Sequence, residues 1–515
     1  MIQFGVGWRR AIEVLSVACA AGLAVNDCLS QDLFGPNARY RVVYSTYLGG
    51  ASWDQAREVI AFPDGSVLVG AQACSQEMQT TPDSLQPRYA GDDPALGHGG
   101  VYGGDCYLAR ISADGRRILA ATFFGGSKQE RNVYGLALDR HGDLVMTSAT
   151  RSPDAPTTKG CFQPKFGGGP SDMLVAKISG DLRTLKWCTY VGGGMDDFPR
   201  GGLLLDDSDN VVVVGTSNSP DFPTTAGVVQ ARLNGPRDSA MVKLSADGAQ
   251  LLFGTFLGGS GEDDAIMGAR RDAAGNLYVA GHTKSDDFPV TPNAPQAKRG
   301  GESDCYLAKL NASASRVIYA TYLGGQGNEF AEHRPLLLTD GSLLLAGFTG
   351  SADFPVTAGA YRGRQSGKSD GFLTNLAPGG DRWTFSTTVG GSAGENWLMP
   401  TLDGDGNLFI VGNTSSPDFP VTEDALQKKF GGGADDAAIA ILNGDGSRLL
   451  FATYLGGNGD EMIRSIAIAA NGDVILVGST SSDDFPVTEG VVQQQHRGNG
   501  DAFVIKLRPR QKASN

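Results

Sequence analysis

Acidic residues recur at one fixed position along the chain, four residues after the second glycine of a repeated Gly-Gly pair. All seven copies carry one: Asp54, Glu130, Asp197, Asp263, Glu329, Glu395 and Glu461. A ring of carboxylates near the centre of the repeats could hold Ca²⁺ or a cationic ligand, because hard cations take oxygen ligands. Alternatively, each carboxylate accepts backbone N–H groups and fixes one repeat to the next. The second interpretation is favoured, since every repeat needs the same joint whereas a ligand rarely needs seven.

A second candidate site lies in the one irregular repeat. The first copy spans 76 residues where later copies take 66, and the surplus falls in residues 89–105. Asp92, His98 and Tyr102 in this insertion are candidate ligand-binding residues, because a departure from a repeat is where a specific site can be added. The alternative is a solvated insertion without a function.

Three other recurring features have plain structural explanations. An Asp opens an apolar run in every copy, as at Asp105 and Asp501, and is expected to bond the backbone of a turn. Residues 206–210 and 402–407 resemble calcium loops, but they lack the downstream Glu of an EF-hand and coincide with tight turns. The phenylalanine of a repeated Asp-Phe-Pro is expected to anchor a loop in the core, with an aromatic sugar-binding rim as the alternative: Phe222, Phe288, Phe354, Phe419 and Phe485.

The chain has seven cysteines, five of them within the repeats. Cys305 shares the repeat position of Cys106, so either can simply be a small buried side chain. No Cys-x-x-Cys or Cys/His cluster indicates zinc, and no nucleophile elbow, phosphate loop or pair of catalytic carboxylates stands out from the repeats. We therefore predict no catalytic residues. An exported protein permits disulfides, and two pairs are plausible: Cys74 with Cys106, and Cys161 with Cys188.

The amino terminus has the pattern of a secretory signal. Basic residues at positions 9 and 10 precede about fifteen mostly apolar residues, and small residues place the predicted cut after Ala24. Lipidation at Cys19 is the alternative. No other run approaches the length of a membrane-spanning helix, so we expect a secreted or cell-surface protein. The net charge of −13 argues against nucleic acid or an anionic membrane as a partner.

The Gly-Gly pairs mark a regular repeat along most of the chain. After the first interval the second glycines are 67 and then 66 residues apart, at Gly50, Gly126, Gly193, Gly259, Gly325, Gly391 and Gly457. A fixed period of this kind indicates one repeat architecture rather than several unrelated domains. Each copy contains short apolar runs between Gly, Asp, Asn and Pro clusters, which is the pattern of strands and turns.

Four strands are expected in each copy, for example over residues 449–455, 465–469, 473–478 and 502–507. Several are apolar throughout, as in VVVVG (211–215), so both faces of each sheet must be covered. Four-stranded sheets packed around an axis meet that need. The predicted fold is an all-β, seven-bladed β-propeller with four antiparallel strands per blade.

The phase of the repeat predicts how the ring closes. The repeats begin with a fourth-type strand at residues 42–48 and end with a third-type strand at residues 502–507. The amino-terminal strand should therefore complete the last blade, which removes an exposed edge. We predict a signal sequence over residues 1–24, a linker over 25–40, a propeller over 41–508 and a tail over 509–515, as a monomer.

TYLGG, GNLYVAGHTKSDDFPVT and DCYLAKL resemble the β-propeller repeat family of secreted bacterial proteins. The resemblance covers all seven copies, although EMQTT (77–81) and DAPTT (154–158) replace the usual DFPVT in the first two. It implies an exported propeller and no established activity.

Three functions are compatible with these observations. The first is a non-enzymatic scaffold that binds a protein or polysaccharide through its loop-rich face. The second is a polysaccharide lyase or hydrolase with its site at the channel mouth, and the third is a structural module stabilised by Ca²⁺. Because one fold hosts many chemistries, the choice rests on the site, and the lack of a catalytic set favours the first.

Overall fold

The structure is a computed structural model that describes residues 33–91, 103–265, 268–331, 333–363, 365 and 367–510. The predicted signal sequence, Cys19 and the three insertion candidates Asp92, His98 and Tyr102 lie outside these residues. The described residues form strands, turns and bends, without a helix. Among the described residues there is therefore no apolar helix of membrane-spanning length.

The strands of a blade are lettered A to D from the channel outwards. The first three blades contain these strands: β2 (Asp54–Ala61), β3 (Val67–Ala73), β4 (Asp105–Ile111) and β5 (Ile118–Phe124) in blade one; β6 (Glu130–Leu138), β7 (Leu144–Thr150), β8 (Asp172–Ile178) and β9 (Leu185–Val191) in blade two; β10 (Asp197–Phe198), β11 (Leu203–Leu205), β12 (Val211–Ser217), β13 (Asp238–Leu244) and β14 (Leu251–Leu257) in blade three.

The remaining four blades follow the same order. Their strands are β15 (Asp263–Asp264), β16 (Ala269–Arg271), β17 (Leu277–Thr283), β18 (Asp304–Leu310) and β19 (Val317–Leu323) in blade four; β20 (Glu329–Phe330), β21 (Leu336–Leu337), β22 (Leu343–Thr349), β23 (Asp370–Leu376) and β24 (Trp383–Val389) in blade five; β25 (Glu395–Leu402), β26 (Leu408–Thr414), β27 (Asp436–Leu442) and β28 (Leu449–Leu455) in blade six; β29 (Glu461–Ile468), β30 (Val474–Thr480) and β31 (Asp501–Pro509) in blade seven, with β1 (Tyr40–Leu48).

Seven separate antiparallel sheets result, which confirms the predicted propeller. Both faces of each sheet are buried against neighbouring blades. In strand β3, Val69 packs with Val477 and Val504 of blade seven, whereas the next residue back, Leu68, packs with Leu174 of blade two. Strands that are apolar throughout are the consequence, because alternate side chains point into two different interfaces.

The ring closes as the phase of the repeat predicts. Strand β1 lies at the outer edge of blade seven and pairs antiparallel with β31, with Val42 opposite Leu507 and Leu48 opposite Ala502. Three strands from the carboxyl end and one from the amino end therefore make the last blade. This arrangement joins the two ends of the chain and leaves the ring without a missing strand.

Strand A differs from the prediction in two ways. In blade seven it begins at Glu461 rather than at residue 465, and in every blade the recurring acid is its first residue instead of part of the link before it. Strand A is also interrupted in every blade. Its pairing with strand B has a register shift in blades one, two, six and seven, and it is split into two short pieces in blades three to five.

Closure by β1 makes its buried side chains essential for stability. Tyr47 is fully buried, and its hydroxyl donates to the carbonyl oxygen of Ser482 at 2.8 Å. We expect Tyr47→Ala to lower the free energy of unfolding by about 3–5 kcal/mol, as for other large-to-small changes in a core. Leu119→Ala, at a side chain that is 43% exposed, should change it by no more than about 0.5 kcal/mol. Urea unfolding measures both, and equal effects would contradict the described closure.

Candidate functional site

The seven recurring acids sit at the joints between successive blades. In each, one carboxylate oxygen accepts the N–H of the second glycine of the Gly-Gly pair, at 2.7–3.0 Å. A Ser or Thr hydroxyl near the end of strand B donates to the same carboxylate, as Thr150 does to Glu130 at 2.6 Å. Each acid therefore ties the start of its strand A both to the preceding blade and to strand B, as the joint interpretation requires.

A second recurring carboxylate completes the joint. The aspartate of the Asp-Phe-Pro segment accepts the N–H of the residue after Gly-Gly, as Asp287 does from Ser260 at 2.8 Å. In blade one, which lacks that segment, Glu77 accepts the N–H of Ala51 instead. The irregular EMQTT sequence thus preserves the bond with a different side chain. The following phenylalanines are at most 5% exposed, which confirms that they anchor the loops: Phe222, Phe288, Phe354, Phe419 and Phe485.

The aspartate that opens strand C lies next to the joint acid, with the first glycine of the pair between them. A Cβ added at Gly125 would lie 2.1 Å from an oxygen of Glu130 and 3.1 Å from one of Asp105. Only glycine leaves room for the two carboxylates. The first Gly of each pair is therefore a steric requirement of the joint.

Burial shifts these acids strongly. Burial raises the pKa of Glu130 to about 8, helped by Asp105, and that of Glu461 to about 7. It likewise raises the pKa of Asp172 to about 7, and that of Asp501 to about 7 with a contribution from Asp54. Removal from water disfavours the charged form, and a neighbouring carboxylate disfavours it further.

The predicted metal site gains no support from this geometry. The acids lie one per blade, each bonded within its own joint, and among the described residues no group of three or more His, Cys, Asp or Glu side chains could hold a metal ion. The loops that resemble calcium sites are occupied by turn bonds. Asp206, for example, accepts the backbone N–H of Ser208 and of Asn210.

Neither of the two expected disulfides is present, so that prediction was wrong. Cys106 points from strand C into the core between blades one and two, whereas Cys74 lies beyond the end of strand B, with its Sγ 3.1 Å from the carbonyl oxygen of Gly103. Cys188 shares the core of Cys106, and Cys161 lies half-buried in a loop. Closeness in sequence did not reveal which interface each thiol enters.

The interruption of strand A directs polar side chains into the central channel. The residue seven positions after the second glycine falls at this interruption, and in three blades it is an arginine: Arg57, Arg200 and Arg464. A bulge inserts an unpaired residue and re-aims its side chain. The same device in blade two displaces Asn132 and Tyr134, where the register shifts between Arg131 and Gly135.

These residues line a cavity of about 570 Å³ at the channel mouth. It lies where strands A begin and strands B end, which is the face that carries the B–C loops. The lining consists of Gln55, Arg57, Arg131, Asn132, Tyr134, Asp196, Phe198, Arg200, Thr216, Arg237, Asp264, His282, Phe330 and Arg464. We call it the channel cavity.

The wall of the channel cavity is cationic. Five arginines face two aspartates, and Asp264 already contacts Arg237 Nε at 2.7 Å and His282 Nε2 at 2.9 Å. Arg57 lies over the ring of Tyr134 at 4.8 Å, and Arg131 over that of Phe198 at 5.3 Å. This local excess of positive charge contrasts with the net charge of −13 of the whole chain.

Two side chains of blade two are held in unusual surroundings. Asn132 has a φ of 45°, in the left-handed region, and its Nδ2 donates to Gln55 Oε1 at 3.1 Å. Its Oδ1 is buried without a hydrogen-bond partner. Burial raises the pKa of Tyr134 although four arginines around it act in the opposite direction, so its hydroxyl keeps its proton.

A second charged layer lies below the channel cavity. Arg334 of blade five forms an ion pair with Glu58 of blade one, which crosses the channel because these blades are not neighbours. Arg270 of blade four is buried beside them. Burial, together with the nearby Arg334, lowers the pKa of Arg270 to about 9. The side chains of Glu58 and Arg334 are 5% and 16% exposed, so this layer is a floor rather than an opening.

Sequence analysis missed the channel cavity. A signal was present, since arginine recurs seven residues after the second glycine in three copies. The sequence alone does not show what this recurring arginine does, because only a register shift in strand A turns its position towards the axis. The other lining arginines, Arg131 and Arg237, occupy unrelated repeat positions and had no signal of their own.

No protein-family model matches the sequence, and no curated protein matches it. Solved structures of similar fold include a protein of unknown function from Dyadobacter fermentans, with 12% identity over 92% of this chain and 100% of that chain and a TM-score of 0.43. BamB from Moraxella catarrhalis has 12% identity over 90% and 99% of the chains and a TM-score of 0.38. A polysaccharide lyase, an ulvan lyase, has 10% identity over 85% and 92% and a TM-score of 0.43.

The raised pKa values of the joint acids predict how stability depends on pH. A carboxyl whose pKa is raised on folding stabilises the protein fully below its unfolded value of about 4, and the contribution is lost as pH rises through the folded value. Stability should therefore fall between about pH 4 and about pH 8, because the unfolded chain ionises near pH 4 whereas the folded acids hold their protons up to pKa values of about 6 to 8. Glu130→Gln should reduce the loss in free energy of unfolding between these two pH values by on the order of 2 kcal/mol. Urea unfolding at the two pH values measures it.

The control is Glu489→Gln, at an exposed acid, which should leave the pH dependence as it is in the unmodified protein. A fall in stability that is unchanged in Glu130→Gln would show that this carboxyl does not carry the raised pKa.

Proposed function

We propose that the protein is a non-enzymatic binding protein for an acidic polysaccharide, which it holds in the channel cavity on its loop-rich face. The observation that carries the proposal is the reversal of charge. A chain with a net charge of −13 concentrates five arginines around one cavity. Such a focused positive potential attracts an anion that the rest of the surface repels.

The type of cation indicates the type of anion. The lining contains five arginines and one histidine but no lysine. Arginine presents a planar fork of donors that matches a carboxylate or a sulfate with two parallel hydrogen bonds. Uronic acids and sulfated sugars carry these groups.

The other lining residues support a sugar as the carrier of the charge. Tyr134, Phe198 and Phe330 bring aromatic rings to the lining, and Arg57 and Arg131 lie over the first two of them. The amides of Gln55 and Asn132 bond one another, which leaves Oδ1 of Asn132 as an acceptor for a hydroxyl group. A volume of about 570 Å³ is within the range of small-ligand sites.

Two of the lining residues, Tyr134 and His282, argue against a lyase at this mouth. A general base needs a pKa near the working pH, but burial raises that of Tyr134 and leaves its hydroxyl protonated. The Nε2 of His282 is engaged by Asp264 at 2.9 Å. The lyase alternative predicts that an acidic polysaccharide gains the ultraviolet absorbance of an unsaturated uronate on incubation with the protein, and our proposal predicts that it does not.

Location and metal dependence belong to the same proposal. We propose that the signal-like start of the chain exports it, so that the cavity meets polysaccharides outside the cell. The seven joints are closed by hydrogen bonds from backbone and hydroxyl donors, which supports stability without Ca²⁺. A calcium-stabilised module would instead lose thermal stability on addition of a chelator.

Two arginines at the interruption of strand A provide the direct test. Arg200→Gln and Arg464→Gln keep an unbranched polar side chain but shorten it and remove the charge. Each should weaken binding of polygalacturonate or chondroitin sulfate by about 10-fold or more, because a charged hydrogen bond contributes about 1.5–3 kcal/mol. Isothermal titration calorimetry at fixed ionic strength measures the dissociation constants.

Arg232→Gln is the matched control, since Arg232 is exposed on the same loop-rich face but does not line the cavity. It should bind within about 2-fold of the unmodified protein, as expected for a surface substitution. Neutral dextran should not bind. The proposal would be contradicted if Arg200→Gln and Arg464→Gln bound the acidic polysaccharides as tightly as the unmodified protein does. It would also be contradicted if dextran bound as tightly as the acidic polysaccharides.

A further inference from the structure

We infer that the channel cavity takes the end of an acidic polysaccharide chain and not a segment from its middle. The inference rests on the proposed function and specifies which part of the ligand is recognised. It follows from the shape of the cavity, which is walled on its sides and closed below.

The wall surrounds the channel axis. The lining residues come from six of the seven blades: one, two, three, four, five and seven. A groove that holds the middle of a polymer needs two exits across the surface, through which the chain enters and leaves. A wall built from nearly every blade of a ring offers one opening, towards the loop-rich face.

The floor prevents the polymer from threading through the channel. Arg57 lines the cavity, but its neighbour Glu58 is turned below it and pairs with Arg334 across the axis. The two side chains are 5% and 16% exposed and join blades on opposite sides of the ring, so this pair closes the channel below the cavity.

A buried acceptor inside the cavity favours a chain end. Oδ1 of Asn132 has no hydrogen-bond partner, although the residue is only 4% exposed. Buried polar atoms in folded proteins are nearly always bonded, so a lone one calls for a donor from elsewhere. The terminal sugar of a chain has one more free hydroxyl than an internal sugar, and that hydroxyl can donate to Asn132.

The test varies chain length at constant chemistry. Galacturonate di-, tetra- and octasaccharides and polygalacturonate are titrated into the full-length protein by calorimetry. End recognition predicts one protein per chain at every length, with a dissociation constant per mole of chain that stays within about 2-fold from the tetrasaccharide to the polymer. Affinity that rises with length, with several proteins bound to each polymer, would overturn the inference.

Asn132→Gly provides the second arm. Glycine accepts a left-handed φ without strain, so this variant should fold while it loses the acceptor. We expect its dissociation constant per chain to rise about 10-fold for the tetrasaccharide and the polymer alike, as for loss of one buried hydrogen bond to a ligand. An unchanged constant for both ligands would overturn the role of Asn132 in holding the chain end.

Failure of the inference differs from failure of the proposed function. If several proteins bind along each polymer and Arg200→Gln still weakens them, the cavity binds acidic polysaccharide internally and only the inference is wrong. If neither the galacturonates nor chondroitin sulfate binds, or an acidic peptide binds in their place with the same dependence on Arg200, the proposed function is wrong as well.

Discussion

The structure depends on one repeated constraint, a buried carboxylate that fixes the first residue of each inner strand. In each joint the acid takes the N–H of the second glycine and a hydroxyl from the end of strand B, as Glu329 does from Gly325 and Thr349. Because the acid bonds both to the preceding blade and to strand B of its own blade, it sets the angle between neighbouring sheets. Seven equal joints then generate a closed ring, in which β1 supplies the final strand. The Gly-Gly pair that sets the sequence period is the steric condition for this joint.

The joint also explains where the chain is free to differ between blades. The start of strand A and its pairing with strand B are held by the carboxylate, so the residues that follow are free to bulge without loss of the blade. Asn132 in blade two and Arg57 in blade one are presented to the axis in this way. The repeated part of the sequence builds the ring, and the part released by the bulges furnishes the channel. Bulges next to binding sites commonly have this role.

How far the sequence predicts the structure follows from the same division. Blade number, strand order and ring closure depend on the period and its phase, which can be read from the Gly-Gly spacing and from residues 42–48 and 502–507. The role of the acids as joints was also predictable, although their place as the first residue of strand A was not. The channel cavity was not predictable, because whether Arg464 faces the axis or a core depends on a register shift between Ile463 and Ser465. The disulfide pairs were predicted wrongly for a similar reason, since the spacing of cysteines in the sequence does not show which blade interface each one enters.

Burial shifts the charges of the joints and of the channel in opposite ways. At the joints, burial and carboxylate neighbours favour protonated acids, as the pKa of about 8 for Glu130 shows. At the axis, arginines from several blades approach one another, and the pKa of Arg270 falls to about 9 yet remains above neutrality. These cations repel each other across the interfaces that hold the ring together. Under the proposed function, an acidic polysaccharide bound among them would offset that repulsion and contact several blades at once, and would thereby stabilise the folded ring.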